Sequence, residues 1–402
     1  MKRLALIAFT AGLTLTSCSS DDAQLPMENT LVIPQNYTFE RGNATTVNFE
    51  GQTTRLQMSA EILSSFTDFE NATAESLSNM FSNENSPFSS AALNESSKSV
   101  KSKVAASSLY FSSNTVESTE IKADFEAFIE EQMTVVKANK DLLAEPGVAG
   151  QIAAGSGVRY VNGKGLELNQ AFAKGLIGGL VLDQIINNYL TTAVLDEGDN
   201  RIKNANGVVE DGTNFTTMEH TWDEAYGYLY GDPSIPSANP NSVLGQSQDK
   251  LLFDYLGEVD ADPDFAGLAT STFDAFKKGR AAIVAENYEI RDEQVSIISS
   301  NLSKVIGVRS VRYLQNAKKA FENNNKGRAF NQLSEGFGFV YSLRFTNNPA
   351  TNMPYINKAQ VDEFKAQLLA GNGFWDVTPQ TLDSISEEIA TAFGFTVAQA
   401  AE

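Results

Sequence analysis

Apolar residues return every three to four positions along most of this chain. Leu56, Ala60, Leu63 and Phe66 form one series, and Ile121, Phe125, Phe128 and Met133 another with small slips. That is the spacing of a helix with one face on a core. Further helical stretches are predicted near 73–82, 95–108, 167–195, 215–230, 265–287, 290–323, 327–343, 357–370 and 378–393. Breakers separate them at Pro146-Gly147, Asp232-Pro233 to Pro240, Asp262-Pro263 and Asn347 to Pro354. Alternation with a period of two is scarce. Tyr37-Phe39 and Val47-Phe49, flanking the turn-like Arg41-Gly42-Asn43, predict a small hairpin or two short extended pieces. The expected fold is all-α, with a short N-terminal extended or hairpin segment.

An internal comparison refines this picture. The segment His220 to Leu229 lies over Asn331 to Val340 without a gap, so that Glu224 falls on Glu335 and Gly227 on Gly338. Tyr226 and Tyr228 fall on Phe337 and Phe339. Two readings fit: a chance match between stacked aromatic-glycine helices, or an ancestral duplication. The second predicts two pseudo-symmetric helical bundles within one domain over 37–402, with approximate halves 37–240 and 241–402. A glycine between aromatics would let a neighbouring helix approach closely, against a propensity cost of about 1 kcal/mol.

The first residues read as a leader. Lys2 and Arg3 precede the apolar run Leu4 to Leu15, and Leu15-Thr16-Ser17-Cys18 ends it. The run is too short to span a bilayer. A small residue before a cysteine resembles a bacterial lipobox, which implies a signal peptide over 1–17 and lipidation of Cys18. The polar stretch 18–36, with Pro26 and Pro34, then serves as lipid anchor and flexible tether. Ser19-Ser20-Asp21-Asp22 resembles the acidic tag of Bacteroidota-type lipoproteins carried to the outer face of the outer membrane. The expected location is therefore the outer membrane, at the cell surface, with the periplasmic face as the alternative.

Composition narrows the chemistry. Cys18 is the sole cysteine, so disulfides within the chain and a thiolate zinc site are excluded. The 402 residues carry a formal charge of −20; without Lys2 and Arg3 the balance is 28 basic residues against 50 acidic ones. Such a chain does not seek phosphate backbones, and no nucleic-acid partner is expected. Lys98 to Lys103, Lys277-Lys278-Arg280, and Arg309-Arg312 with Lys318-Lys319 read as solvated helix faces. Gly175 to Leu190 is the longest apolar stretch after Cys18, but Asp183, Gln184, Asn187 and Asn188 mark it as a buried soluble helix.

His220 is the single histidine, with Asp223 and Glu224 three and four residues on. On a helix both carboxylates stand on or near the imidazole's face. The trio suits a metal site or a tuned acid–base histidine, with Glu335 of the matching helix as the further oxygen donor. The plainer reading has His220 and Glu224 cross-linking helices through buried hydrogen bonds, with Trp222 and Tyr226 filling core. Asp260-Ala261-Asp262-Pro263-Asp264 begins like a calcium loop, but Phe265 and Ser271 replace the glycine and glutamate it needs, so it reads as a polar loop and N-cap. Asp196-Glu197-Gly198-Asp199-Asn200 is an oxygen-rich loop, equally suited to a hard cation or to solvent. No Gly-x-Ser-x-Gly, Walker loop or dinucleotide fingerprint is present.

The run Thr217-Met218-Glu219-His220-Thr221-Trp222-Asp223-Glu224-Ala225-Tyr226-Gly227-Tyr228 resembles the signature of a family of Bacteroidota-type lipoproteins of unknown function similar to imelysin. Gly51-Gln52-Thr53-Thr54-Arg55-Leu56 and Leu333-Ser334-Glu335-Gly336-Phe337 fit the same family. The resemblance covers nearly all the chain from about Tyr37. It implies a two-bundle helical envelope protein of a kind classed among peptidases and associated with iron acquisition. The hallmark Gly-x-His-x-x-Glu is altered here: Met218 replaces the glycine and Asp223 the glutamate. The leading expectation is an envelope lipoprotein that binds a ligand or assists uptake, with iron or another divalent cation as cofactor and an outer-membrane transport protein as partner. In that reading Trp222 and Tyr226 contact the ligand. The alternatives are a metal-dependent peptidase of imelysin type and a structural or partner-docking module.

Overall fold

The computed structural model describes residues 30–246 and 251–401, so Cys18 and the leader lie outside the described residues. Among these, sixteen α-helices accompany two antiparallel two-stranded sheets. The first sheet is the expected hairpin, β1 (Glu40–Arg41) and β2 (Ala44–Thr45). Gly42 and Asn43 connect its strands at φ 60° and 64°. Two left-handed residues in succession match the twist of a tight hairpin, and glycine and asparagine adopt them at least cost.

The helices that build the core follow in order. They are α1 (Glu50–Ser65), α2 (Ala74–Ser82) and α3 (Thr115–Glu131), then α4 (Leu168–Leu176), which continues through π-helical turns Ile177–Leu182 and Ile185–Tyr189. After them come α5 (Thr217–Tyr230), α6 (Leu252–Asp260), α7 (Leu268–Val284) and α8 (Tyr288–Glu322). The last are α9 (Lys326–Ser342), α10 (Lys358–Leu368) and α11 (Pro379–Phe393). The 35-residue α8 is the spine, with α7, α9 and α11 packed along it. α4 lies on α9, while α5 lies on α1 and on the Ile185–Tyr189 turn. One contiguous apolar core runs through both predicted halves, from Tyr37 to Ala400.

Three differences from the sequence reading have physical causes. The predicted helix at 95–108 is short pieces, Ala91–Glu95, a 3-10 turn at Lys101–Lys103 and Ser108–Phe111. Its serines spend their hydroxyls on nearby backbone: Ser102 Oγ donates to the Ser99 carbonyl at 2.9 Å, which competes with helix formation. A second hairpin, β3 (Gly150–Ala154) with β4 (Gly157–Val161), stands where no strand was expected. α6 was also unforeseen. Gly175 to Leu190 is buried within the protein almost throughout, as expected, and no helix among the described residues is long and apolar enough to cross a membrane.

Candidate functional site

Helix α5 starts with a reciprocal cap. The Thr216 hydroxyl accepts from Glu219 N at 3.3 Å, and the Glu219 carboxylate accepts from Thr216 N at 2.7 Å. This capping box fixes where the signature segment begins and so which side chains face inward. Trp222 is fully buried and donates its indole N–H to the Phe276 carbonyl at 3.1 Å. Tyr226 is also buried, donates to the Ser237 carbonyl at 2.5 Å, and stacks on Tyr37 with ring centroids 3.6 Å apart. Both are core side chains.

Asp223 turns inward with them. Its Oδ1 accepts from the Tyr37 hydroxyl at 2.6 Å and from Arg280 Nε at 3.1 Å. Arg280, fully buried on α7, also donates to Glu219 Oε1 at 3.0 Å and to Thr46 Oγ1 at 3.0 Å, with its guanidinium 4.9 Å above the Phe39 ring. Arg41 grips Glu219 from the hairpin side at 3.0 and 3.1 Å. Two carboxylates and two guanidiniums thus tie the first hairpin, α5 and α7 together. Burial pushes the Asp223 carboxyl up to about 6, although Arg280 and the Tyr37 hydroxyl pull it down. Burial also raises Glu219, but Arg280 and Arg41 outweigh it and hold that carboxyl below its ordinary value. Arg280, read from sequence as part of a solvated face, is instead the centre of the network.

The remaining predicted site residues go elsewhere. His220 Nδ1 meets the Asn48 carbonyl at 3.1 Å, and its ring stacks on Phe215 at 4.5 Å. A carbonyl only accepts, so that nitrogen carries the proton. Glu224 accepts from Gln52 Nε2 at 2.9 Å, and Glu335 faces Asn331 Nδ2 at 3.4 Å. His220, Asp223, Glu224 and Glu335 therefore sit in separate surroundings. No group of three or more histidine, cysteine, aspartate or glutamate side chains among the described residues could hold a metal ion. The oxygen-rich loop is also spent within the protein, since Asp196 is clasped by Arg291 and Arg201, and Asp199 pairs with Lys203. In the calcium-like loop, Asp260 Oδ1 accepts from Ala269 N at 2.8 Å, as a cap of α7 does.

Above the network lies an open groove of about 630 Å³. Tyr37, Phe39, Val47 and Phe49 give it an apolar floor, and Thr38, Asn48 and Ser237 give polar edges. Its charged lining side chains are Glu40 and Glu50, both exposed. The Thr53 and Thr54 hydroxyls beside them are already donating to the Gly231 and Glu50 carbonyls at 2.8 and 2.9 Å. Sequence reasoning found the α5 end of this site and missed Tyr37, Arg41 and Arg280. The signal for the first two was the hairpin itself, whose aromatics alternate with charge.

The fold and groove define a mostly helical domain with a small hairpin-walled cleft over a buried charged network. The chain belongs to the family described as Domain of unknown function (DUF4856), whose sequence model matches residues 34–396. No curated protein and no solved structure matches it.

Proposed function

We propose that this protein is a lipid-anchored envelope protein that binds a ligand in the groove beside α5 and assists its uptake. The observation that carries the reading is the groove's lining: an apolar floor fixed from below by Arg280 and Asp223, with carboxylates and no basic side chain at the rim. Such a lining favours a neutral or cationic ligand over an anion. Two of the groove's threonine hydroxyls, those of Thr53 and Thr54, are committed to backbone carbonyls, and its lining holds no histidine to act as a base, which favours binding over hydrolysis. The likeness to imelysin adds iron acquisition to the proposal. Residues His220, Asp223, Glu224 and Glu335 do not form one coordination shell, so no step is routed through a metal held by them.

Titration calorimetry on the chain from Gln24 onward tests this, with ferrous and ferric iron, ferric chelates, neutral oligosaccharides and lysine-rich peptides as probes. The expected result is saturable binding of at least one probe, weakened tenfold or more by Glu40→Lys with Glu50→Lys and unaffected by His220→Ala. Absence of binding across the panel, or binding indifferent to the rim substitutions, would overturn the groove assignment. The anchor is tested in cells by incorporation of an alkyne-palmitate label, expected in the wild type and lost in Cys18→Ala.

A further inference from the structure

A second cavity, of about 250 Å³, shares no lining residue with the groove beside α5. It lies between α8, the end of the Ile185–Tyr189 turn and the loop that follows α9. Ile186, Leu190 and Val295 give it apolar walls, and no basic side chain lines it. That is room for a small organic molecule rather than for one or two waters. Two buried polar groups in the lining lack partners. Ser299 is 3 % exposed, and its hydroxyl makes no hydrogen bond with any described residue. Asn347 is 4 % exposed, and its Nδ2 donates to the Tyr110 hydroxyl at 3.1 Å. That hydroxyl donates in turn to the Thr346 carbonyl at 3.0 Å. The phenol's one proton is spent there, so it can only accept from Asn347, which fixes the amide with Oδ1 unbonded. The Ser303 hydroxyl accepts from Asn347 N at 3.0 Å and holds the backbone of this wall in place. A buried hydroxyl and a buried amide oxygen that find no partner in the protein require one from whatever fills the cavity. A ligand hydroxyl or carboxamide serves both, accepting from Ser299 and donating to Asn347 Oδ1.

The other end of the cavity is acidic. It adjoins a hollow of about 560 Å³, with which it shares Asp292 and Ser296 and which Arg201, Tyr288, Glu289 and Glu293 complete. Arg201 pairs with Asp196 at 2.6 Å, while Arg291 pairs with Asp196 at 2.7 Å and with Asp292 at 2.8 Å. These two arginines balance Asp196 and Asp292. Glu289 and Glu293 are exposed, stand one turn apart on α8 and have no ion-pair partner among the described residues. The carboxylates left over favour a cation at this end. α8 also sets a length. Asp292 and Ser299 are seven residues apart on it, two turns along one face and about 10 Å along the axis. A hydrogen bond at each end takes up part of that distance and leaves about 5–8 Å between the polar groups of a ligand.

We propose that this cavity binds a small aliphatic amine that carries a hydroxyl or carboxamide about five carbons from its ammonium. The neutral polar end meets Ser299 and Asn347, the aliphatic middle lies against Ile186, Leu190 and Val295, and the ammonium sits among Asp292, Glu289 and Glu293. The site is independent of the α5 groove and of the lipid anchor.

The probe is 5-amino-1-pentanol, titrated into the full chain by calorimetry beside pentylamine, 1,5-pentanediol and 5-hydroxypentanoate. Saturable binding is expected for the amino alcohol, binding at least about threefold weaker for pentylamine and for the diol, and none for the hydroxy acid. Ser299→Ala puts a better helix former into α8 and so keeps the fold. It should weaken the amino alcohol at least about threefold and leave pentylamine unchanged. Glu289→Gln with Glu293→Gln should weaken both amines and spare the diol. Absence of saturable binding by the amino alcohol would overturn the proposal and assign the two free polar groups to ordered water. Equal binding of the amino alcohol and pentylamine, or a loss in Ser299→Ala that pentylamine shares, would overturn it as well, since attraction to the carboxylates alone or a change of fold would then account for the result. Loss of binding in Glu40→Lys with Glu50→Lys would place the probe in the α5 groove and sink this site while leaving that one standing.

Discussion

At the scale of single residues, the value of each charged group depends on who faces it. Among the described residues Arg280 is the only cation that touches both Asp223 and Glu219, with Arg41 as a second, partly exposed partner of Glu219. Removing one member of a buried ion network leaves its partners charged and unpaired, typically at a cost of about 3–5 kcal/mol. Arg280→Met should therefore lower the unfolding free energy by about that amount in urea titration. Asp223→Asn should cost less, about 1–3 kcal/mol near neutral pH. Its amide oxygen can still accept from Tyr37 and Arg280, but its amino group would stand where Oδ2 has no hydrogen-bond partner. Equal costs for the two substitutions would contradict this ordering. The sequence placed His220, Asp223 and Glu224 on one helical turn, and they are on one turn. It could not show that Asp223 faces α7 while His220 faces Asn48, because those partners lie 57 and 172 residues away.

Between elements, the glycines of the two matched segments explain why α5 and α9 resemble each other. A Cβ on Gly227 would lie 2.3 Å from the Phe49 Cβ, and one on Gly338 would lie 2.5 Å from the Lys174 Cβ. Each glycine admits a neighbouring helix closely, the start of α1 at Gly227 and the body of α4 at Gly338, as the sequence reading anticipated. In an exposed helix, glycine to alanine gains about 1 kcal/mol from propensity. Here the sign reverses, because forced overpacking typically costs about 1–3 kcal/mol. Gly227→Ala and Gly338→Ala should each lower the thermal midpoint, whereas Gly51→Ala, whose nearest contact would be Lys98 Cε at 3.4 Å, should leave it within about a degree or raise it. Helices with continuous apolar stripes and polar loops were legible in the sequence. The β3–β4 hairpin was not, because Ile152, Val158 and Tyr160 alternate over only five residues a strand. Residues 95–108 misled in the other direction, since Val100 and Val104 have helical spacing but sit among serines.

Over the whole molecule, buried carboxyls and surface charge act on stability in the same sense. Burial raises Asp183 to about 7, against hydrogen bonds from Ser107 and Ala106 N–H and from Asn187. Burial likewise raises Glu167 to about 7, opposed by Arg159, and Asp223 to about 6. A carboxyl whose folded value exceeds its unfolded value near 4 binds its proton more tightly when folded. Its contribution is complete below about pH 4 and is lost as pH rises through 6 to 7. The net charge of −20 adds self-repulsion that grows over the same range. Acting the other way, Asp196 is held at about 2 by Arg201 and Arg291 against some burial, and Glu219 is lowered; their stabilisation fails below about pH 4. Stability should therefore peak between about pH 4 and 6 and fall toward pH 8 by an amount on the order of 1–2 kcal/mol for each raised group, after relaxation and solvent screening. Urea titrations across pH, at 10 and 150 mM salt, separate the two causes. Salt should recover the part due to surface repulsion at pH 8 and leave the buried part. Asp183→Asn should be more stable than wild type at pH 8 and show a shallower slope between pH 4 and 7, because Asn187 Oδ1 is an unpaired buried acceptor beside it. A wild-type profile that is flat or rises from pH 5 to 8 would show that these carboxyls ionise in the folded protein without penalty.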